Sequence, residues 1–277
     1  MLKENSSEIT TNLVPVKCKL NFITNNAAEV PLRNHSIVMG AIYGLIAQVD
    51  PVFSYKHHKS TTVKPWSFSL LKFYEDPVKS VREGYSLVNR GTRGFFFIKS
   101  VYQKLQEITV QFSMRRKMLH IGKLGINIEE ITTEIRNLKD TPPNIDTVTV
   151  RLESPTFFYD NRTKSQEKLS VETFLKYQSE KFKQLGILNI EPEQLYPYIW
   201  VLKDKTKESW GYITNSRNKN ETIGFKGQVG EVIFKIVGNS LERSIIYKIL
   251  ALSEFTGIGT RTSMGFGHSS LIDFTCE

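Results

Sequence analysis

Thr256-Gly257-Ile258-Gly259-Thr260-Arg261-Thr262-Ser263-Met264-Gly265-Phe266-Gly267-His268 carries two G-x-G pairs around a short segment with three hydroxyls and one arginine. Glycine is favoured where the backbone must take a positive φ or where another group approaches the main chain closely. Exposed N–H groups, hydroxyls and Arg261 would together suit a loop that holds phosphates. What flanks the loop decides the fold. Asn239-Ser240-Leu241-Glu242 has the composition of a helix N-terminus, and Leu241, Ile245, Ile246, Ile249, Leu250 and Leu252 follow at helical spacing. Ser269–Phe274 then reads as a short strand. The order is helix, glycine loop, strand, which is the reverse of a P-loop, and the Lys-Ser/Thr that follows a P-loop's last glycine is absent. A dinucleotide fingerprint also needs a strand ahead of its glycines, so nucleotide-cofactor folds are disfavoured.

Working outward, Lys139-Asp140-Thr141-Pro142-Pro143-Asn144 disfavours helix and strand alike and divides the chain into residues 1–140 and 141–277. Before it the pattern predicts strands at Val14–Phe22, Ser67–Tyr74, Gly94–Ser100, Met118–Ile121 and Ile126–Ile131, with helices at Ser36–Val49 and from Val101. After it come strands at Thr147–Leu152, Tyr198–Val201 and Gly230–Val237, and helices at Val171–Leu185 and Asn239–Leu252. Each half approximates β-α-β-β-α-β, so the expected fold class is α+β, two tandem ferredoxin-like domains of the topology RNA-recognition domains use.

Lys and Arg total 37 against 28 Asp and Glu, a net charge of +9 that suits a polyanionic partner such as RNA. Cys18 and Cys276 are too few for a zinc cluster or a disulfide framework. The N-terminus does not read as a signal peptide, and Ile37–Val49 is too short to cross a membrane. The expectation is a soluble, cytoplasmic protein with no membrane, cofactor or metal.

The segment from Pro51 to Tyr74 contains no Asp or Glu but has Lys56, His57, His58, Lys59, Lys64 and Lys72, and it reads as a basic loop. Histidine both donates and accepts protons near neutrality. Cutting RNA without a metal requires a proton taken from the 2′-hydroxyl, a stabilised phosphorane and a proton given to the leaving 5′-oxygen; histidine, tyrosine and lysine can share that work. From the residues alone the bland alternatives stand: Tyr43 lies in an apolar helix where rings are ordinarily core, adjacent histidines in a basic loop are ordinarily solvated, and Lys64 is an ordinary residue at a strand's start. His35 and His120 have no supporting constellation, and His268 reads as packing or surface. Phe95-Phe96-Phe97 offers either base-stacking rings or core.

The pattern G-I-G-x5-G-F-G resembles the glycine-rich loop of the RAMP superfamily of CRISPR-associated proteins, and within it the repeat-processing endoribonucleases that cut precursor CRISPR RNA. Met39-Gly40-Ala41-Ile42-Tyr43, Lys64-Pro65-Trp66-Ser67-Phe68-Ser69, Ser154-Pro155 and Gly227-Gln228-Val229-Gly230 before Glu231–Ile236 are similar to that family's landmarks and come in its order. The resemblance implies two ferredoxin-like domains and metal-independent cleavage of the repeat by 2′-hydroxyl attack, leaving a 2′,3′-cyclic phosphate and a 5′-hydroxyl. It marks Tyr43, then His58 fifteen residues on, then Lys64 six further, as the catalytic set, with the base unassigned between Tyr43 and His58 and with His57 an alternative to His58. His57, Lys59, Arg115, Arg116, Lys117, Arg217, Lys219, Gly257, Gly259, Arg261, Gly265 and Gly267 are the expected RNA-binding residues. Expected partners are the precursor CRISPR RNA repeat, CRISPR effector subunits and a second copy of the chain. Two rivals stay open. One is a non-catalytic RAMP subunit that binds guide RNA. The other is a small-molecule phosphodiesterase, which should carry a repeated H-x-T/S motif that is absent.

Overall fold

Alternation of side chains builds the first sheet. In β1 (Val16–Thr24) every second residue from Val16 to Thr24 is buried, as a strand with one face on a core requires. β1 pairs antiparallel with β3 (Arg93–Ser100) and β5 (Leu124–Ile135), β3 with β2 (Trp66–Phe68), and β5 with β4 (Met118–Ile121), giving the order β2-β3-β1-β5-β4. α1 (His35–Val49) and α3 (Gln103–Met114) join the same core as Cys18, Leu20, Phe22, Phe96 and Ile98. The second half repeats the plan: β6 (Ile145–Thr156), β7 (Ile199–Thr214), β8 (Thr222–Ile236) and β9 (Ser269–Cys276) run in the order β7-β8-β6-β9, with α4 (Val171–Gln184) and α5 (Ser240–Thr256) sharing its core. Setting aside the β4 hairpin, both sheets have the 2-3-1-4 strand order of the ferredoxin-like fold. The computed structural model describes residues 13–59, 63–115, 118–138, 144–160, 165–214 and 221–276. The expected linker falls outside them apart from Asn144. No helix among the described residues is long and apolar enough to cross a membrane.

Two expectations are corrected. The basic segment after α1 is not a loop but a helix, α2 (Pro51–Lys59). Asp50 caps it, its Oδ1 accepting from the Phe53 N–H at 2.9 Å, and Pro51 supplies the fixed φ that suits a first helical position. The central hairpin is also much longer than Tyr198–Val201 and Gly230–Val237: β7 and β8 pair from Ile199/Ile236 out to Thr214/Thr222. Its far end grips the first half. The Tyr212 N–H donates to the Arg33 carbonyl at 3.1 Å, the Thr214 N–H to Ser36 Oγ at 3.0 Å, and Asn34 Nδ2 to Thr214 Oγ1 at 3.2 Å. Asn34 is itself the N-cap of α1, accepting from the Ser36 N–H.

The halves are also joined by charge. Lys99 of β3 is fully buried, and its Nζ donates to the Ser269 carbonyl at 2.6 Å and lies 3.3 Å from Glu254 of α5. Glu254, 3% exposed, takes Arg136 Nη1 at 2.7 Å as well. Burial pushes the Lys99 pKa down to about 8 against the pull of Glu254 and Glu153. Breaking a buried pair costs most when it strands the less compensated charge. Glu254→Gln, which leaves two cations without their shared anion, should lower stability by about 3–5 kcal/mol in urea titration. Lys99→Met, which removes a charge that burial already opposes, should cost less; the reverse order would show that the carboxylate does not join the halves.

Candidate active site and the loop behind it

Tyr43 sits on the buried side of α1 at 8% exposure, one helical face with Val38, Ala41, Ile42, Leu45 and Ile46. α2 packs on α1, held partly by Ser54 Oγ donating to the Tyr43 carbonyl at 3.3 Å. This brings His58 edge-on to the Tyr43 ring, centroids 4.9 Å apart. The neighbouring His57 is half-buried, 4.9 Å from the Trp66 ring and 4.3 Å from Phe53. Burial, followed by the Lys64 and Lys56 charges, lowers the His57 pKa below its ordinary value. Burial raises the Tyr43 hydroxyl to about 12 and lowers Lys64. The structure thus packs Tyr43 and His57 against Trp66, with His58 on the Tyr43 ring and the Lys64 charge acting on His57. His58 is exposed, while Lys64 is buried, at 8%. Of Lys59 only the backbone, the last residue of α2, is described.

A cavity of about 520 Å³ is lined by Lys64, by Gly259, Thr260 and Arg261 of the glycine loop, and by Tyr159, Tyr177, Glu180 and Lys181. The four glycines themselves are interior. Gly257, at φ 77, ends α5; Gly259 abuts the Phe157 backbone, Gly265 lies against Phe68 and His35, and Gly267 abuts the Ile258 carbonyl, so no Cβ fits at any of the last three. The loop amides are largely spent inside: Ile258 N–H donates to Gly267 at 2.8 Å, Thr260 to Phe157 at 2.9 Å and Gly267 to Pro155 at 3.1 Å. Ser154 Oγ donates to the Gly265 carbonyl at 2.7 Å and accepts from the His268 N–H at 2.8 Å. Ser154-Pro155 and the glycine loop are therefore one interlocked unit. What it presents outward is Arg261, exposed and held in the left-handed region at φ 57, where a non-glycine residue is strained. Its guanidinium lies 4.8 Å from the Phe225 ring centre.

Other expected contacts sit elsewhere. Arg115 is exposed at the end of α3, where its Nη1 donates to the Gln48 carbonyl at 2.6 Å and ties α3 to α1. Arg116, Lys117, Arg217 and Lys219 lie outside the described residues. His268 and His35 are core, His35 stacked on Phe266 with ring centres 3.9 Å apart. A residue that sequence reasoning missed is Lys181. It is buried, at 6% exposure, with its pKa brought to about 7 by desolvation, and its Nζ donates to the Gly257 carbonyl at 2.6 Å beside Gln178 Nε2 at 3.2 Å. Lys181 thus satisfies the end of α5 and fixes where the loop starts. A signal existed: Val171, Phe174, Leu175, Gln178 and Phe182 mark the inward stripe of α4, and Lys181 lies on it.

Two family models match the chain, "CRISPR-associated endoribonuclease Cas6" over residues 150–269 and "CRISPR-associated protein Cas6, N-terminal" over residues 29–132. No curated protein matches by sequence. Among solved structures, a Cas6 product complex superposes with a TM-score of 0.67 at 16% identity, covering 94% of this chain and 99% of that one. A Cas6-related protein from Pyrococcus furiosus gives 0.66 at 12%, covering 94% and 99%, and a structure titled as a RAMP protein binding different RNA substrates gives 0.64 at 14%, covering 93% and 100%. With both halves matched by models of one family and the whole fold shared, the chain belongs to the Cas6 family of CRISPR-associated, repeat-processing endoribonucleases.

Proposed function

We propose that this endoribonuclease binds the repeat of precursor CRISPR RNA and cuts one phosphodiester without a metal, using Tyr43, His58 and Lys64. The 2′-oxygen would form a bond to phosphorus as the bond to the 5′-oxygen breaks, leaving a 2′,3′-cyclic phosphate and a 5′-hydroxyl. The observation that carries the assignment is the edge-on contact of His58 with Tyr43 at 4.9 Å, on a surface whose segment from Pro51 to Tyr74 holds no carboxylate. A phenol raised to about 12 stays protonated across the neutral range, so Tyr43 enters as a hydrogen-bond donor and His58 as the group that gains and loses the proton. Lys64 stabilises the charge that develops on the non-bridging oxygens. Arg261, which lines the same cavity, holds a neighbouring phosphate. Effector subunits and a second copy of the chain are the further partners this reading allows.

The decisive experiment is single-turnover cleavage of the cognate repeat in EDTA, with binding followed in the same samples. Wild type should cut, a substrate with 2′-deoxy at the scissile nucleotide should survive, and His58→Ala should bind normally but cut about 10²–10⁴-fold more slowly. A larger loss in His57→Ala than in His58→Ala would transfer the role to His57. Tight binding by wild type with no cleavage would favour the non-catalytic RAMP subunit. Tyr43→Phe supplies a separate check through pH. Since its hydroxyl ionises only near 12, the variant should lower the plateau rate while leaving the profile between pH 6 and about 10 unchanged in shape. A basic limb in wild type below pH 10 that Tyr43→Phe abolishes would refute the donor role.

A further inference from the structure

The face of the first sheet turned away from α1 and α3 is covered by the second half at Lys99 but is half-exposed at Phe95 and Phe97, and it carries a feature that the proposed cutting site does not use. Arg93-Gly94-Phe95-Phe96-Phe97-Ile98 on β3 follows the basic-Gly-aromatic-x-aromatic-aliphatic pattern by which RNA-recognition domains place base-stacking rings on the third strand of this same topology. Strand alternation sorts its three rings. Phe96 is buried at 1% against the core, filling the place usually held by a small residue, while Phe95 and Phe97 lie half-exposed on the other face. Gly94 is required where it stands: a Cβ would strike the Phe22 ring and the Lys72 carbonyl, which belongs to the short strand Lys72–Phe73 pairing alongside.

The surroundings fit a nucleic acid. Tyr74, 59% exposed, extends the aromatic surface, its ring 5.5 Å from Phe95. Register pairing sets Lys19 opposite Phe97 and Asn21 opposite Phe95, and Lys19 Nζ lies 4.4 Å from the Phe95 ring centre. Lys19 has no carboxylate partner among the described residues, whereas Lys17 is paired with Glu134 and Lys72 with Glu153. Phe95 and Phe97 are 5.5 Å apart, centre to centre, well beyond the ~3.4 Å rise of stacked bases. Bases resting on both rings must leave their helical stack, which an unpaired strand permits and a duplex does not.

We propose that Phe95 and Phe97, with Tyr74 and Lys19, form a stacking platform for two unpaired bases of RNA on the sheet face opposite the cutting site. The platform stands independently of whether Tyr43, His58 and Lys64 perform the cleavage. The test is binding of a short unstructured RNA carrying 2-aminopurine, by anisotropy and by quenching of the base's fluorescence. Wild type should quench, Phe95→Ala should weaken binding about ten-fold or more and abolish the quench, and Phe95→Trp should restore both. The same sequence as a duplex should compete poorly. Single-turnover cleavage at saturating repeat RNA should be unchanged in Phe95→Ala, which separates a failed platform from a failed cutting site. Thermal melting establishes that the variants fold, and Phe95, which unlike Phe97 has no ring contact with His268 among those described, decides the matter if Phe97→Ala does not fold. Wild-type affinity in folded Phe95→Ala, no quench in wild type, or equal binding of duplex would each overturn the proposal.

Discussion

One buried carboxylate holds the two halves in register. Glu254 takes Lys99 from the first sheet and Arg136 from the end of β5, while the Phe255 carbonyl beside it accepts from Ser67 Oγ of β2. α5 is therefore fixed against both the strand that follows Lys64 and the sheet that carries Phe95 and Phe97. Because α5 ends at Gly257, its position also fixes where the glycine loop begins, with Lys181 satisfying the terminal carbonyl. The cavity that Lys64 and Arg261 both line follows from these contacts. In a region this dry, a charge is tolerable only with its partners in place.

Electrostatics around His57 runs one way. The Lys64 and Lys56 charges add to burial in lowering the pKa of the half-buried His57. Tyr43 contributes differently: it is anchored by core packing, with its ring at a steep angle to that of His58.

The α+β class and the strand order were legible because β1 alternates strictly and α5 has both a capping sequence and helical periodicity. Tyr43, His58 and Lys64 were singled out only through resemblance; nothing in their individual environments distinguishes them from core, solvent and strand-start residues. α2 was misread because basic composition outweighed the Asp50-Pro51 cap. The hairpin was cut short because Gly224, Gly227 and Gly230 and its many charged residues suppress strand propensity, while pairing to a partner strand overrides it. The glycine loop had the right residues for a phosphate cradle, but glycine answers two demands, and here close packing against Phe157, Ile258 and Phe68 takes precedence over exposure. Lys181 was invisible as charge and visible only as position.

The hairpin that reaches from the second half to the cap of α1 behaves as a ruler. Tyr212 and Thr214 meet Arg33 and Ser36 from alternate positions on one strand, and strand side chains repeat every second residue. A single residue inserted between Ile199 and Gly211 would turn that edge over and detach the cap, whereas length added beyond Thr214 would leave it untouched. The chain can thus drift freely in length at the hairpin's tip while its stem is held to a fixed count, and the helix bearing Tyr43 is the gauge against which that count is kept.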